Sequence, residues 1–364
     1  MELNNILDNF EYHGTVGSIE SFGSGLINST YRVKTLEDDN DDYVLQSINH
    51  HIFTNVPELT NNIIRVTDHI KNKLETQYLP EELKRRVLTV VKTKNGLGYY
   101  KDDAGTYWRV FTLINNSKTI EVLENSEQAE AAGRAFGNFQ GMLSDLPNPE
   151  LYEILPGFHN TAMRIDNFKE RVKEDPFGRF DEVKEDVDFL LKYEDEMKSI
   201  IKQGEEGALP SRIVHQDTKL SNILFDENNN ELCVIDLDTV MPGYLCYDFG
   251  DAVRGGMNNG KEDDENLENV YLNMELFKGF ARGYYQSSKD FISKAEINSL
   301  AFGAKLLTYE QSVRFLDDYL NGDQYYKTNK DKHNLIRSRA QIAYFKDLER
   351  NFSEMDSYVQ GLYM

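Results

Sequence analysis

Two periods of hydrophobicity divide this chain. Early on, apolar and aromatic residues alternate with polar ones in the short runs Gly14 to Phe22, Tyr31 to Leu36, Tyr43 to Ile48, Val87 to Lys92 and Thr106 to Ile114, each bounded by Gly, Asn and Asp clusters. A period of two is that of a strand with one buried face. Between these runs, Val56 to Gln77 carries Leu59, Ile63, Val66, Ile70 and Leu74 at helical spacing. Five strands and one helix predict a small α+β lobe closing with Tyr107-Trp-Arg-Val-Phe-Thr-Leu-Ile114, and Asn115-Asn-Ser-Lys118 reads as a hinge.

Past the hinge the period changes to that of helices. Ser126 is the expected N-cap of a helix over Glu127 to Leu146, which Pro147 and Pro149 stop. A second helix is expected over Asp181 to Lys202, with Val183, Val187, Leu190, Leu191, Met197 and Ile201 on its apolar side. Leu272 to Gln286, Lys294 to Leu320 and Leu335 to Met355 follow with the same periodicity. The switch of period predicts a two-lobed α+β fold: residues 1–115 as a small antiparallel-sheet lobe and residues 116–364 as a mostly helical lobe.

Composition narrows the partners. The 364 residues, 40% of them apolar, suffice for two packed lobes. A formal charge of −22 argues against nucleic acid or an anionic membrane, which are bound chiefly through Lys and Arg. Cys233 and Cys246 cannot build a disulfide framework and read as small core residues. Met1-Glu-Leu-Asn-Asn5 shows no basic region followed by an apolar run, and no stretch nears the ~20 apolar residues that cross a bilayer. The expectation is a cytoplasmic protein. The acidic run Glu37 to Asp42 lacks the alternating ligands and glycine of a calcium loop and reads as a solvated hairpin turn.

The densest chemistry lies in His215-Gln-Asp-Thr-Lys-Leu-Ser-Asn222, followed by the strand-like Leu232-Cys-Val-Ile-Asp236. Asp217 precedes Asn222 by five positions, and Asp236 follows fourteen later. Phosphoryl transfer from ATP calls for this set: a carboxylate to orient and deprotonate the attacking hydroxyl, and hard oxygen ligands for Mg2+ against the triphosphate. The spacing is that of the catalytic loop of protein-kinase-like enzymes, H-x-D-x-x-x-x-N and then a metal-binding Asp after a hairpin. Asp217 is thus the expected base, Asn222 and Asp236 the expected Mg2+ ligands, and Lys219 a cation for the transferring phosphoryl group. Asp248-Phe-Gly250 mimics the kinase metal tripeptide but begins 26 residues after Asn222, too far for one hairpin. Asp248 and Asp251 are expected instead to hydrogen-bond the loop and cap the next helix. His215 has no second histidine at ligand spacing, so it reads as a hydrogen-bonding residue beneath the loop and zinc is not expected.

In the first lobe, Ser21-Phe-Gly-Ser-Gly-Leu-Ile-Asn-Ser-Thr-Tyr31 forms a turn between two strands that can bring backbone N–H groups against ATP phosphates. Gly23, Gly25, Asn28, Ser29 and Thr30 are its candidate nucleotide-binding positions. The next strand offers Gln46 where a kinase usually supplies a lysine, which leaves Lys219, Mg2+ or Arg32 to share the charge neutralisation.

His215 to Asn222, Val234-Ile-Asp-Leu-Asp-Thr-Val-Met-Pro-Gly243 and Asp248-Phe-Gly-Asp-Ala-Val-Arg254 together resemble the aminoglycoside-phosphotransferase-like kinases, and within them the bacterial N-acetylhexosamine 1-kinases. Leu306-Leu-Thr-Tyr-Glu310, Arg314 to Asp323, Tyr325-Tyr326 and His333 to Arg339 resemble the same group, so the likeness spans about Gly17 to Ile342. It implies an ATP- and Mg2+-dependent kinase that phosphorylates the anomeric hydroxyl of N-acetylglucosamine or N-acetylgalactosamine. Asp217 would then meet that hydroxyl, and Arg314 and Tyr325 match positions that reach the sugar. A guanidinium fork and a phenol also suit a polyol and an acetamido carbonyl. Leu26 stands where the resembled enzymes carry a histidine. Rival readings are a kinase of the same fold for choline, homoserine, methylthioribose or an aminoglycoside, and a non-catalytic pseudokinase.

Overall fold

Alternating residues near the start of the chain build an antiparallel sheet. In the computed structural model, which describes residues 3–23, 27–37, 41–147 and 151–364, helix α1 (Leu3–Leu7) precedes strands β1 (Val16–Ser21), β2 (Ser29–Thr35) and β3 (Tyr43–Ile48). Helices α2 (Val56–Leu74) and α3 (Pro80–Leu83) come next, then β4 (Val90–Val91), β5 (Tyr100–Lys101) and β6 (Tyr107–Thr112). The strands lie in the order β1-β2-β3-β6-β4 with β5 on β6, all antiparallel. One face is apolar: Val33, Tyr43, Leu45, Val91, Trp108 and Val110 pack with Ile6, Leu7 and Phe10. The pleat turns the intervening residues to the other face, where Thr30, Gln46 and Arg109 stand opposite one another across β2, β3 and β6.

The rest of the chain runs through α4 (Ser126–Leu143), α5 (Thr161–Glu174), α6 (Phe180–Lys192), α7 (Glu194–Met197) and α8 (Ser199–Glu205). Short strands β7 (Arg212–Val214), β8 (Ile223–Phe225), β9 (Glu231–Val234) and β10 (Met241–Gly243) follow. Helices α9 (Leu245–Gly256), α10 (Met274–Ser288), α11 (Lys294–Leu320) and α12 (His333–Leu362) complete it. The fold is therefore α+β, with an antiparallel sheet first and a mostly helical remainder. Met1–Lys118, Asp145–Leu155 and Leu224–Met241 form one compact unit, and Thr119–Ser144, Pro156–Ile223 and Pro242–Met364 the other. None of the described helices is long and apolar enough to cross a membrane.

Three local expectations need correction. The N-cap of α4 is Asn125, whose side chain accepts from Gln128 N at 2.9 Å, while Ser126 Oγ instead accepts from Arg282 Nη2 at 2.8 Å. The helix expected over Asp181 to Lys202 is three pieces, α6 to α8, broken at Tyr193 and Lys198. At the first break the Tyr193 ring packs 5.3 Å from Phe189 and 4.9 Å from Phe345, so ring packing overrides continuous helix. The strand expected over Val87 to Lys92 shrinks to the two residues of β4. Cys233 and Cys246 are both buried, and burial pushes each thiol up to about 12.

In the second unit, α9 and α11 cross at glycines. A Cβ on Gly250 would lie 2.2 Å from the carbonyl oxygen of Gly303, and one on Gly303 would lie 2.1 Å from that of Cys246. Only glycine permits this approach, which fixes α9, carrying Asp248 and Asp251, against α11, carrying Glu310 and Arg314.

Candidate active site

In the second unit, β7 delivers the chain into the loop His215 to Asn222, and the loop's conformation is bought with backbone hydrogen bonds to buried carboxylates. Asp248 on α9 accepts from the backbone N–H of His215 at 2.8 Å and of Gln216 at 2.7 Å, and from Gln140 Nε2 at 2.8 Å. Asp251, one turn on, accepts from Thr218 N at 2.9 Å and from Arg254 Nη2 at 2.8 Å. Gln216 adopts a left-handed backbone, φ 66°, tolerated because its N–H and carbonyl both have partners. His215 is buried, its ring edge-on to Phe136 and Phe139, and its Nδ1 accepts from Asp217 N at 3.3 Å.

Electrostatics follow from this burial. Burial raises Asp248 above the ordinary carboxylate range, against the opposing pull of His215 and the loop amides. Burial pushes Asp251 the same way, but Arg254 and His159 outweigh it and hold the carboxyl below its ordinary value. Arg254 is itself raised, because Asp251, Glu262 and Asp217 overcome the cost of its burial.

Three expected residues meet in this loop. Lys219 Nζ lies 2.9 Å from Asp217 Oδ2. Asn222 Nδ2 donates to the carbonyl oxygen of Asp217 at 2.8 Å and reaches its Oδ2 at 3.4 Å. Its amide N–H2 is thus engaged with Asp217, while its side-chain oxygen is an acceptor.

The first unit holds the second carboxylate pair. Asp236 follows β9 in a left-handed turn, φ 61°, and is exposed, whereas Asp238, two residues on, is buried. Arg109 grips Asp238 with both terminal nitrogens, Nη2 to Oδ2 at 3.0 Å and Nη1 to Oδ1. Arg109 Nε donates to Gln46 Oε1 at 2.9 Å, and Gln46 Nε2 donates to Thr30 Oγ1 at 3.0 Å. Asn28 completes the set: its Nδ2 donates to Asp238 Oδ2 at 2.8 Å and its Oδ1 accepts from Asn49 N at 3.0 Å. Gln46 thus acts as a relay, and the buried cation of this sheet is Arg109 on the neighbouring strand. Neither Arg109 nor Asp238 was among the expected site residues. The available signals were a charge inside the apolar strand Tyr107 to Thr112 and a second Asp in Ile235-Asp-Leu-Asp238.

Other expected positions lie in the first unit. Gly23 has φ 78°, a left-handed conformation that suits glycine in a tight turn, and Ser29 is exposed at the start of β2. Gly25 and Leu26 lie outside the described residues, as do 38–40 of the acidic turn and Pro149. Arg32 pairs with Asp42 at 2.9 Å.

Around α11, His159 joins the loop to the helix. Its Nδ1 is 2.7 Å from Glu310 Oε1 and its Nε2 is 3.1 Å from the carbonyl oxygen of Gln216, next to Asp217. Thr161 Oγ1 donates to Glu310 Oε2 at 2.6 Å. Burial would raise Glu310, but His159, the charge of Arg314 and the Thr161 hydroxyl hold it below its ordinary value. Arg314, one turn on, lies 5.4 Å over the Phe158 ring and 5.8 Å from that of Tyr326. Tyr325 is exposed, its ring T-shaped against Tyr326 at 4.8 Å. Asp318 fixes this loop by accepting from the N–H groups of Gln324, Tyr325 and Tyr326 at 2.8–2.9 Å.

No group of three or more His, Cys, Asp or Glu side chains among the described residues is arranged to hold a metal ion. Taken singly, the amide oxygen of Asn222 in the second unit and the carboxylate of Asp236 in the first are each a hard donor of the kind Mg2+ takes, an ion that accepts one or two protein oxygens and fills its shell with phosphate and water.

Comparison with known folds agrees with this architecture. An aminoglycoside phosphotransferase from Alicyclobacillus acidocaldarius superposes with a TM-score of 0.59 at 11% identity, covering 96% of each chain. The microcompartment-associated aminopropanol kinase gives 0.56 at 15% identity, covering 97% of this chain and 98% of that one. Amicoumacin kinase hAmiN in complex with AMP-PNP, Ca2+ and Ami gives 0.57 at 13% identity, covering 93% and 92%. Residues 18–285, more than half of the chain, match the sequence profile of the phosphotransferase enzyme family, and the chain belongs to that family, APH.

Proposed function

We propose that this chain is a cytoplasmic, ATP- and Mg2+-dependent kinase that phosphorylates the anomeric hydroxyl of an N-acetylhexosamine, N-acetylglucosamine or N-acetylgalactosamine, to give the sugar 1-phosphate. The observation that carries the reading is the Asp217 loop, in which Lys219 and Asn222 both contact the carboxylate that would take the proton. The sugar assignment is supported by the resemblance at Arg314 and Tyr325 and by the half-buried guanidinium of Arg314.

In this reading residues 1–115 supply the nucleotide-binding lobe, through Gly23, Gly25, Asn28, Ser29 and Thr30, and residues 116–364 the catalytic and acceptor lobe. Asp217 orients the acceptor hydroxyl and takes its proton as the oxygen forms a bond to the γ-phosphorus. The bond from that phosphorus to the β,γ-bridging oxygen breaks, and ADP leaves. Lys219 offers an ammonium to the negative oxygens in transfer. Asn222 and Asp236 would hold Mg2+, which when bound screens the triphosphate charge. Asp248, Asp251 and His159 keep the loop in register, since a small displacement of the base is costly in rate.

The test is ADP release with each sugar, ATP and Mg2+, followed by NMR of the product. Phosphorus on the anomeric oxygen supports the reading. Turnover only of alcohols other than hexoses would leave the family and remove the sugar assignment.

A further inference from the structure

Arg314 is not the only guanidinium at the acceptor side. Arg164, on the first turn of α5, donates Nη2 to the carbonyl oxygen of Phe158 at 3.0 Å, the residue whose ring lies under Arg314. Two cations therefore converge on Phe158, and Arg314 lowers the pKa of Arg164 in addition to the effect of burial. Among the described residues Arg314 has no hydrogen-bond or ion-pair partner, and the buried Nε of Arg164 has no hydrogen-bond partner. The carboxylates on this stretch of helix act on the pair only by longer-range charge: Glu310 favours both guanidiniums and Asp317 is close enough to feel Arg164, but Glu310 hydrogen-bonds His159 and Thr161, Asp317 lies 3.8 Å from Arg171, and Asp318 accepts from three backbone N–H groups. Although Glu310 and the neighbouring tyrosines favour the charged form of Arg314, no carboxylate among the described residues meets either guanidinium at ion-pair distance, so the N–H donors of this half-buried pair suit the oxygens of a ligand.

We infer that Arg164 and Arg314 together form an acceptor subsite for a carbonyl or carboxylate oxygen, and that they exclude acceptors carrying an ammonium group. This rests on the acceptor role given to Arg314 above and adds Arg164 as a specificity-determining residue. Parallel guanidinium N–H groups match an acetamido or carboxylate oxygen, whereas an ammonium in the same place meets two like charges and leaves the donors unpaired. The amine-bearing alcohols, among them choline, ethanolamine, aminopropanol and the aminoglycosides, are then disfavoured by charge.

The full chain with ATP and Mg2+ is assayed on N-acetylglucosamine, glucosamine and glucuronic acid, and on choline, ethanolamine, aminopropanol and kanamycin. The expected result is a kcat/KM for N-acetylglucosamine or glucuronic acid about 100-fold or more above that for glucosamine, with no turnover of the amine alcohols. Arg164→Gln should narrow that gap by raising the KM for the oxygen-bearing sugar while the KM for ATP holds, and Arg164→Lys should restore discrimination against glucosamine. Glucosamine or any amine alcohol turned over as well as N-acetylglucosamine overturns the inference, as does an Arg164→Gln variant that slows every acceptor in equal proportion. If no sugar reacts, the sugar reading has failed separately, and sulfate decides the subsite. A gain in Tm with sodium sulfate over choline chloride at equal ionic strength, lost in Arg164→Gln, upholds it, and an equal response of both proteins overturns it.

Discussion

Asp217 is held by its neighbours more than by its own burial. Its carboxylate contacts Lys219 and Asn222, and the N–H groups of the preceding His215 and Gln216 run to Asp248. Asp217→Asn keeps those backbone bonds and removes only the basic oxygen. It should lower kcat on the order of 100- to 10,000-fold while calorimetric Mg-ATP affinity stays near wild type; near-normal kcat would remove Asp217 from the chemistry. Asp251 offers a pH test. Its folded pKa is depressed, so its contribution to stability is complete above the unfolded value, about 4, and is lost as pH falls through the folded value. Asp251→Asn should therefore lower Tm at neutral pH, with the two Tm curves converging as the pH falls below about 4. A difference unchanged at low pH would contradict this account.

At the scale of elements, legibility depended on sequence distance. His215, Asp217, Lys219 and Asn222 stand in one loop, so their spacing alone brought them together in the reading. Arg109 and Asp238 are 129 residues apart, and His159 and Glu310 are 151 apart, pairs that only the folded chain creates. The long periodic helices α11 and α12 were plain in the sequence, while two-residue strands such as β4 and the break at Tyr193 were not. Periodicity reports which face is buried, not where a ring or a partner strand interrupts an element. The ladder Thr30–Gln46–Arg109 ends on a buried ion pair, so Arg109→Met should destabilise the protein by about 3–5 kcal/mol by stranding Asp238. Adding Asp238→Leu should recover much of that loss in chemical denaturation, and a double mutant no better than the single would show that the pair is not coupled. Where α9 crosses α11, Gly303→Ala drives a methyl into the Cys246 carbonyl and should cost about 1–3 kcal/mol or more. An unchanged Tm would mean that the helices can part at no cost.

Taken as a whole molecule, the chain separates bulk charge from site charge. Its net −22 disfavours polyanionic partners, yet Arg164, Arg254 and Arg314 lie near one another around the second unit's loop and α11. The switch from period two to period 3.6 made the α+β class legible, and family membership follows from the match over residues 18–285. The acceptor is a finer property, decided by a few side chains that composition does not report. Its most direct measurement is NMR of the product formed from N-acetylglucosamine, ATP and Mg2+. The expected product shows an anomeric proton split by coupling to phosphorus, with no phosphate on the C6 oxygen. A product phosphorylated at C6, or inert hexoses beside a rapidly phosphorylated amine alcohol, would contradict it.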